Sequence, residues 1–116
     1  MKNIIHEKSF SFALRIVKRC NHLQKAKRET IMTRQLLRCG TSIGANVAES
    51  KHAQSRADFI SKLTIALKEA AETDYWLRLL HESGYLNVTE FDSIFADCKE
   101  IQSVLAAIVK SAKSNF

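Results

Sequence analysis

The chain of 116 residues contains no proline and only three glycines, at Gly40, Gly44 and Gly84. Proline and glycine are the residues that most often interrupt regular backbone structure, so this chain has few places where it can turn. We therefore expect it to consist mostly of long helices. The length is that of one domain, residues 1–116, large enough to bury a core of its own.

Apolar residues recur at helical spacing in four segments, over about residues 4–24, 29–53, 56–83 and 88–113. Four amphipathic helices joined by short connections predict an all-α fold, an antiparallel up-down-up-down four-helix bundle. The predicted core face of the first helix consists of Ala13, Ile16, Val17, Cys20 and Leu23, widened by Phe10 and Phe12.

Local signals mark the helix ends. Residues 24–28 are polar and basic and indicate the first turn. Ser55–Asp58 resembles a capping box, and Asn87–Glu90 carries a second capping signal. Gly84 fits the left-handed position that follows the last residue of a helix.

Gly40, Gly44 and Ala48 are four residues apart and form a strip with little side chain on the second helix. Glycine inside a helix costs up to about 1 kcal/mol relative to alanine. Two glycines in one helix therefore indicate either that another backbone packs closely there or that the helix bends. We favour close packing within the chain, and a short break near residues 41–42 stays open as the alternative.

The positive charge of the chain belongs to its first third. Residues 1–40 contain ten lysines and arginines against two acids, whereas residues 41–116 contain eight against ten. A strongly basic region favours an anionic partner, most often nucleic-acid phosphate. The alternative is a solvated helix face that only keeps the chain dissolved. The residues that we expect to contact phosphate are Arg15, Lys18, Arg19, Lys25, Lys27, Arg28 and Arg34.

Nothing in the sequence favours a metal site, and we expect no cofactor. Glu49 and His52 have the Glu-x-x-His spacing of metal-binding bundles, but a dinuclear site needs a second such pair and further inward carboxylates. We find neither. Asp97 and Glu100, in the fourth helix, are expected to face water.

Catalysis is also not expected, and no catalytic residue is assigned. Cys20, Cys39 and Cys98 lie beside apolar residues, without a histidine placed to activate them. They are interpreted as buried free thiols in a reducing cytoplasm. No apolar run approaches the roughly 18 residues of a membrane span, and the first residues lack the pattern of a secretion signal. We therefore expect a cytoplasmic protein without a membrane partner.

The densest polar group lies on the second and third helices. Glu69 and Glu72 are three residues apart and share one helix face. Counting outward from the turn near Ser55, these glutamates should lie closer to the level of Arg38 and Ser42 than to that of Asn46. This placement permits an ion pair or hydrogen bonds between Arg38 and one of the glutamates.

The middle of the chain resembles the family of four-helix bundle proteins named after 23S ribosomal RNA intervening sequences. The resemblance lies in residues 35–38 (QLLR), 41–49 (TSIGANVAE), 58–63 (DFISKL), 66–70 (ALKEA), 72–77 (ETDYWL) and 84–86 (GYL), and it extends over about residues 8–113. The family's signature positions correspond here to Arg38, Ser42, Asn46, Glu49, Glu69, Glu72 and Trp76, as structural or interaction residues.

The resemblance implies an antiparallel bundle that assembles as a ring, typically a homopentamer, and no established biochemical activity. It also implies a relation to accessory proteins of diversity-generating retroelements, which bind nucleic acid and a reverse transcriptase. We therefore expect a non-enzymatic, ring-forming bacterial protein that binds RNA or DNA non-specifically through its basic first third. The alternative is a scaffold that recruits an acidic or reverse-transcriptase-like protein.

Overall fold

The computed structural model describes residues 4–114, which form four α-helices. They are α1 (Ile4–Ala26), α2 (Ile31–Ser50), α3 (Arg56–Glu82) and α4 (Val88–Ser114). Residues 1–3, which include the basic residue Lys2, and residues 115–116 lie outside the described part. The helix boundaries agree with the predicted ones to within three residues, as expected where capping and periodicity point to the same ends.

Side-chain contacts show that successive helices are antiparallel. Between α1 and α2, Ile16 lies beside Gly40 and Ser9 lies beside Gly44. The same opposite numbering relates α2 to α3, where Lys62 pairs with Glu49 while the later Glu69 pairs with the earlier Arg38. Helix α4 runs back along α3 and also contacts α1, which closes the bundle, whereas α1 and α3 make no close backbone contact within residues 4–114.

The core is one apolar cluster that draws on all four helices. In α1, Phe12, Ile16, Cys20 and Leu23 are buried as predicted. The prediction was wrong for two other residues of α1, because Phe10 is 66% exposed and Val17 is 36% exposed. The largest fully buried core side chains are Phe12, Ile16, Leu23, Leu36, Ile43, Val47, Leu63, Leu77, Leu80, Leu86, Ile101 and Leu105.

Helix α2 begins at Ile31 rather than near residue 29, because Glu29 acts as its cap. The Glu29 carboxylate accepts hydrogen bonds from the backbone N–H groups of Ile31, Met32 and Thr33, at 3.1, 2.9 and 2.8 Å. Burial alone would raise the pKa of Glu29, but these hydrogen bonds outweigh it and hold the pKa below its ordinary value. The N-terminus of α2 is therefore already occupied by a negative charge.

The caps predicted for α3 and α4 are confirmed. Ser55 Oγ accepts from the Asp58 N–H at 3.0 Å. Asn87 and Glu90 form a reciprocal pair, in which each side chain accepts from the other's backbone N–H, at 2.8 and 3.0 Å. Gly84 ends α3 with φ +91°, and the N–H of Tyr85 donates to the carbonyl of Leu80.

Helix α2 is continuous through both glycines, so the predicted close packing is confirmed and no break occurs near residues 41–42. A Cβ atom on Gly44 would lie 3.2 Å from the backbone oxygen of Ser9 on α1. The helix ends at Ser50, three residues before the predicted end, because residues 51–53 bond three residues back in tighter turns.

Candidate nucleic-acid interface

Two of the seven cations expected to contact phosphate are engaged by α4. Arg15 Nη1 lies 2.6 Å from Asp97 Oδ2, and its Nη2 donates to Ser93 Oγ at 2.8 Å. Arg19 Nη1 lies 3.2 Å from Glu90 Oε2. The charges of both arginines are therefore balanced within the chain.

Asp97 and Glu100 lie at the surface, as expected, and both also form ion pairs with α1. Glu100 pairs with Lys8 at 3.0 Å, and Asp97 pairs with Arg15. The acids of α4 recur at helical spacing and form a stripe that opposes the basic stripe of α1. The spacing of these acids is visible in the sequence. It predicts ion pairs with α1 only once the first and last helices are known to be neighbours.

The other five cations are exposed and form no ion pair within residues 4–114. Four of them lie within the ten residues 25–34, around the α1–α2 connection. We call this group the basic end: Lys25, Lys27, Arg28 and Arg34. The fifth, Lys18, lies on the solvent side of α1. The acid within the basic end is Glu29, whose buried carboxylate is directed at the backbone of α2. The basic end therefore carries a positive charge that local acids do not balance.

Backbone geometry presents Arg28 to solvent. Its φ is +55°, and among residues 4–114 it is the one residue other than glycine that has a positive φ. A left-handed conformation costs a residue with a side chain roughly 1–2 kcal/mol. The chain therefore retains an arginine where glycine would be less strained, and the side chain points away from the bundle into solvent.

An open cleft of about 440 Å³ continues from the basic end along the seam between α1 and α4. It is lined by Arg15, Lys18, Arg19, His22 and Ile94. Four of these residues lie on one face of α1, at positions i, i+3, i+4 and i+7. The cleft adds the unpaired charge of Lys18 to the surface, whereas both arginines in it are held by carboxylates of α4.

Arg38 forms the ion pair that its level in the bundle permits. Arg38 pairs with Glu72 and, at 3.4 Å, with Glu69, so its side chain bridges α2 and α3. Trp76 Nε1 also donates to Glu72, at 3.0 Å. The hydrogen bond from Arg38, followed by that from Trp76, lowers the pKa of Glu72 below its ordinary value.

The remaining signature residues make local contacts on the same two helices. Asn46 Nδ2 donates to the backbone oxygen of Ser42 at 2.9 Å and to its hydroxyl at 3.2 Å. Glu49 pairs with Lys62 at 3.0 Å. The pairs of Arg38 and of Glu49 therefore join α2 to α3, whereas Ser42 and Asn46 bond to each other within α2.

The three cysteines are buried free thiols, as predicted. Burial raises the pKa of Cys20 and of Cys98 to about 12, and that of Cys39 to about 11. A thiol with such a pKa carries almost no thiolate at neutral pH and is a poor nucleophile. Over residues 4–114, no three histidine, cysteine or acidic side chains come together in a way that could hold a metal ion.

None of the four described helices is long and apolar enough to cross a membrane. The long helices instead combine apolar stripes with charged ones, as the α1–α4 seam shows.

Comparison with known proteins agrees with the resemblance seen in the sequence. Residues 1–107 match the model of the family described as 23S rRNA-intervening sequence protein. A solved structure of a protein of unknown function, from the S23 ribosomal protein family of Bacteroides thetaiotaomicron, is 50% identical. The match covers 93% of this chain and 96% of that one, with a TM-score of 0.92. No curated protein matches the chain. The chain thus belongs to the 23S rRNA-intervening sequence protein family.

Proposed function

We propose that this protein is a self-associating, non-enzymatic nucleic-acid-binding protein that contacts phosphates through its basic end, without reading bases. The observation that carries the proposal is the exposure of Lys25, Lys27, Arg28 and Arg34, none of which has an ion-pair partner within residues 4–114. An unpaired cation can release a phosphate counterion on binding, whereas a cation already held by a carboxylate must first give up that partner.

The contact runs through side chains and not through a helix N-terminus. The N–H groups at the start of α2, which would otherwise suit a phosphate, are already bonded to Glu29. Long lysine and arginine side chains on a turn bind phosphate with little geometric demand. We therefore propose similar affinities for different base sequences, and no preference that depends on base edges.

Self-association would make this surface more effective. The family resemblance implies a ring of identical chains, and each chain has a net charge of +6. A ring presents several copies of the basic end to one polyanion, so that the later contacts form at high effective concentration.

The direct test is the binding of single-stranded and duplex RNA and DNA over a series of salt concentrations. We expect binding at low salt. The logarithm of the binding constant should fall linearly with the logarithm of the salt concentration, with a slope of about 0.7–0.9 for each phosphate contacted. Absence of binding at low salt, or an affinity indifferent to salt, overturns the proposal.

A matched pair of triple variants locates the surface. One variant replaces Lys25, Lys27 and Arg28 by alanine, and the control replaces Lys51, Lys110 and Lys113, exposed lysines at the opposite end of the bundle. Both variants lose three positive charges. We expect the first to reduce the salt slope and the affinity strongly, and the control to change both only a little. Equal losses would show that net charge, and not the basic end, governs binding.

The scaffold alternative predicts a different outcome. In that case the basic end meets an acidic protein, such as a reverse-transcriptase-like partner, and a complex purified from cells survives nuclease treatment. Under our proposal nuclease releases the bound material. Alanine substitution of the basic end weakens either interaction, so the nuclease step is what separates the two functions.

A further inference from the structure

Over residues 4–114, and apart from the first residue of three helices (Ile4, Ile31 and Val88), the large exposed hydrophobic side chains lie on two faces of the bundle. On α1 they form a stripe of Phe10, Leu14 and Val17, at positions i, i+4 and i+7, which we call the α1 stripe. Phe10 is 66% exposed and Leu14 is 48% exposed. A single exposed hydrophobic residue is ordinary, but an aligned row on a well-packed domain marks a contact surface.

The second face lies on α3 and consists of Ile65, Tyr75 and Leu79, which we call the α3 stripe. Tyr75 is 51% exposed, and with Leu79 it borders a shallow depression of about 220 Å³. Over residues 4–114, the exposed large hydrophobics of α2 and α4 are limited to the first residue of each helix, Ile31 and Val88.

The two stripes lie on diagonally opposite helices. Helices α1 and α3 run in the same direction and have no close backbone contact with each other. A surface on α1 and one on α3 therefore point to different sides of the molecule. This is the arrangement that a head-to-tail contact between identical chains requires, in which each copy offers one surface to each neighbour.

The heights of the stripes also correspond. Ile16 lies beside Gly40, and Cys39 Sγ accepts from Thr73 Oγ1, so α1 and α3 positions about 56 residues apart are level with each other. The α1 stripe is then level with the part of α3 between Ile65 and Tyr75, and Leu79 lies about six residues beyond it toward the basic end. In a ring whose axis is parallel to the helices, rotation from one copy to the next does not change the height of a residue. Residues that are level within one copy are then also level between neighbouring copies.

Charge favours pairing of unlike stripes over pairing of like ones. Lys25 continues the α1 stripe toward the basic end and has no ion pair within residues 4–114. On α3, exposed Glu82 borders the depression beside Leu79, and by the same count of residues it is level with Lys25. Arg78 also lines the depression, but it is paired with Asp74 at 2.9 Å. Contact between α1 and α3 places a cation opposite an acid at this level.

We propose that the α1 stripe of one copy packs on the α3 stripe of the next, in a head-to-tail contact between identical chains. This inference rests on the self-association part of the proposed function and is independent of nucleic-acid binding. Both apolar faces are then covered by other copies of this chain. Repetition of the contact builds a closed ring when the rotation between copies allows closure.

The test uses two blocked variants that leave the basic end intact. The α1-blocked variant carries Phe10→Glu and Leu14→Glu, and the α3-blocked variant carries Tyr75→Glu and Leu79→Glu. All four side chains lie at the surface, so folding is checked by circular dichroism. The milder variants Phe10→Ser and Tyr75→Ser replace any double variant that does not fold. Mass is measured by light scattering after size exclusion, without nucleic acid.

We expect the unmodified protein to elute at a multiple of its 13.1 kDa chain mass, and each blocked variant alone to be a monomer. An equal mixture of the two blocked variants should form a dimer and nothing larger, because one functional α1 stripe then meets one functional α3 stripe. A monomeric unmodified protein, a blocked variant that still self-associates, or a mixture that stays monomeric overturns the proposal. Loss of RNA binding with this assembly intact would count against the basic end only.

Discussion

Arg15 on α1 and Asp97 on α4 are joined by a contact of 2.6 Å, and this pairing balances the charge of one of the seven expected phosphate ligands. The pair is partly exposed, so its contribution to the free energy of unfolding is about 0–1 kcal/mol. Under the proposed function its larger effect is on phosphate binding, because an arginine held by a carboxylate is less able to bind phosphate.

Asp97→Asn should therefore strengthen nucleic-acid binding. Freeing one arginine adds up to one phosphate contact, and with a slope of about 0.7 per contact for a single strand this corresponds to a gain in affinity of up to about fivefold at 0.1 M salt. Fluorescence anisotropy with a labelled single-stranded RNA measures it. Asp92→Asn is the control, since it changes the net charge equally on an exposed residue of the same helix without releasing Arg15. Equal gains from both variants would mean that only net charge matters.

Arg28→Gly should separate stability from binding. Glycine adopts φ +55° without the cost that a side chain incurs, so we expect the free energy of unfolding to rise by about 1 kcal/mol in urea denaturation. The same change removes a cation from the basic end, so RNA affinity should fall. A variant that is less stable, or that binds RNA as well as the unmodified protein, contradicts the role given to this position.

The Glu29 cap should make stability depend on pH. Its pKa is lowered in the folded state, so its stabilising contribution is fully present above the unfolded value of about 4.3 and is lost as the pH falls through the folded pKa. Glu29→Gln should therefore destabilise the protein by about 1–2 kcal/mol at pH 7 and by less near pH 3. Thermal unfolding across this range measures the difference. A constant difference would show that the charge of Glu29 is not involved.

Gly40→Ala should destabilise the bundle although alanine favours helix. A Cβ atom would lie 2.9 Å from both Cγ atoms of the fully buried Ile16. We expect a loss of about 1–3 kcal/mol, larger than the gain of about 1 kcal/mol in helix propensity. In a double-mutant cycle with Ile16→Ala, the combined cost should be smaller than the sum of the single costs. Additive costs would exclude this contact as the cause.

The thiols of Cys20, Cys39 and Cys98 should be unreactive until the protein unfolds. All three are buried, and burial raises their pKa values to about 11–12. A thiol reagent at pH 8 should label none of them within minutes in the native state, and all three in denaturant. Rapid labelling of one thiol in the native protein would show that its part of the core opens readily.

Helix positions and caps were predictable because their causes are local. The apolar spacing of α3, the Ser55 cap and the left-handed Gly84 depend on residues within a few positions of one another in the chain. Contact between Arg38 and one of the glutamates Glu69 and Glu72 was also predictable, since a short turn makes α2 and α3 antiparallel neighbours and the count from that turn sets their levels.

The sequence by itself determined the four helices, their antiparallel order, the buried thiols and the excess of positive charge in the first third. Only the tertiary structure decided which charges remain free, and which apolar residues remain exposed. Arg15 and Arg19 are neutralised because α4, the last helix in the chain, packs against α1, the first. Phe10 remains exposed because the neighbouring helices determine how much of the surface of α1 is buried. Both outcomes depend on contacts between residues far apart in sequence, which helical periodicity within one segment does not specify.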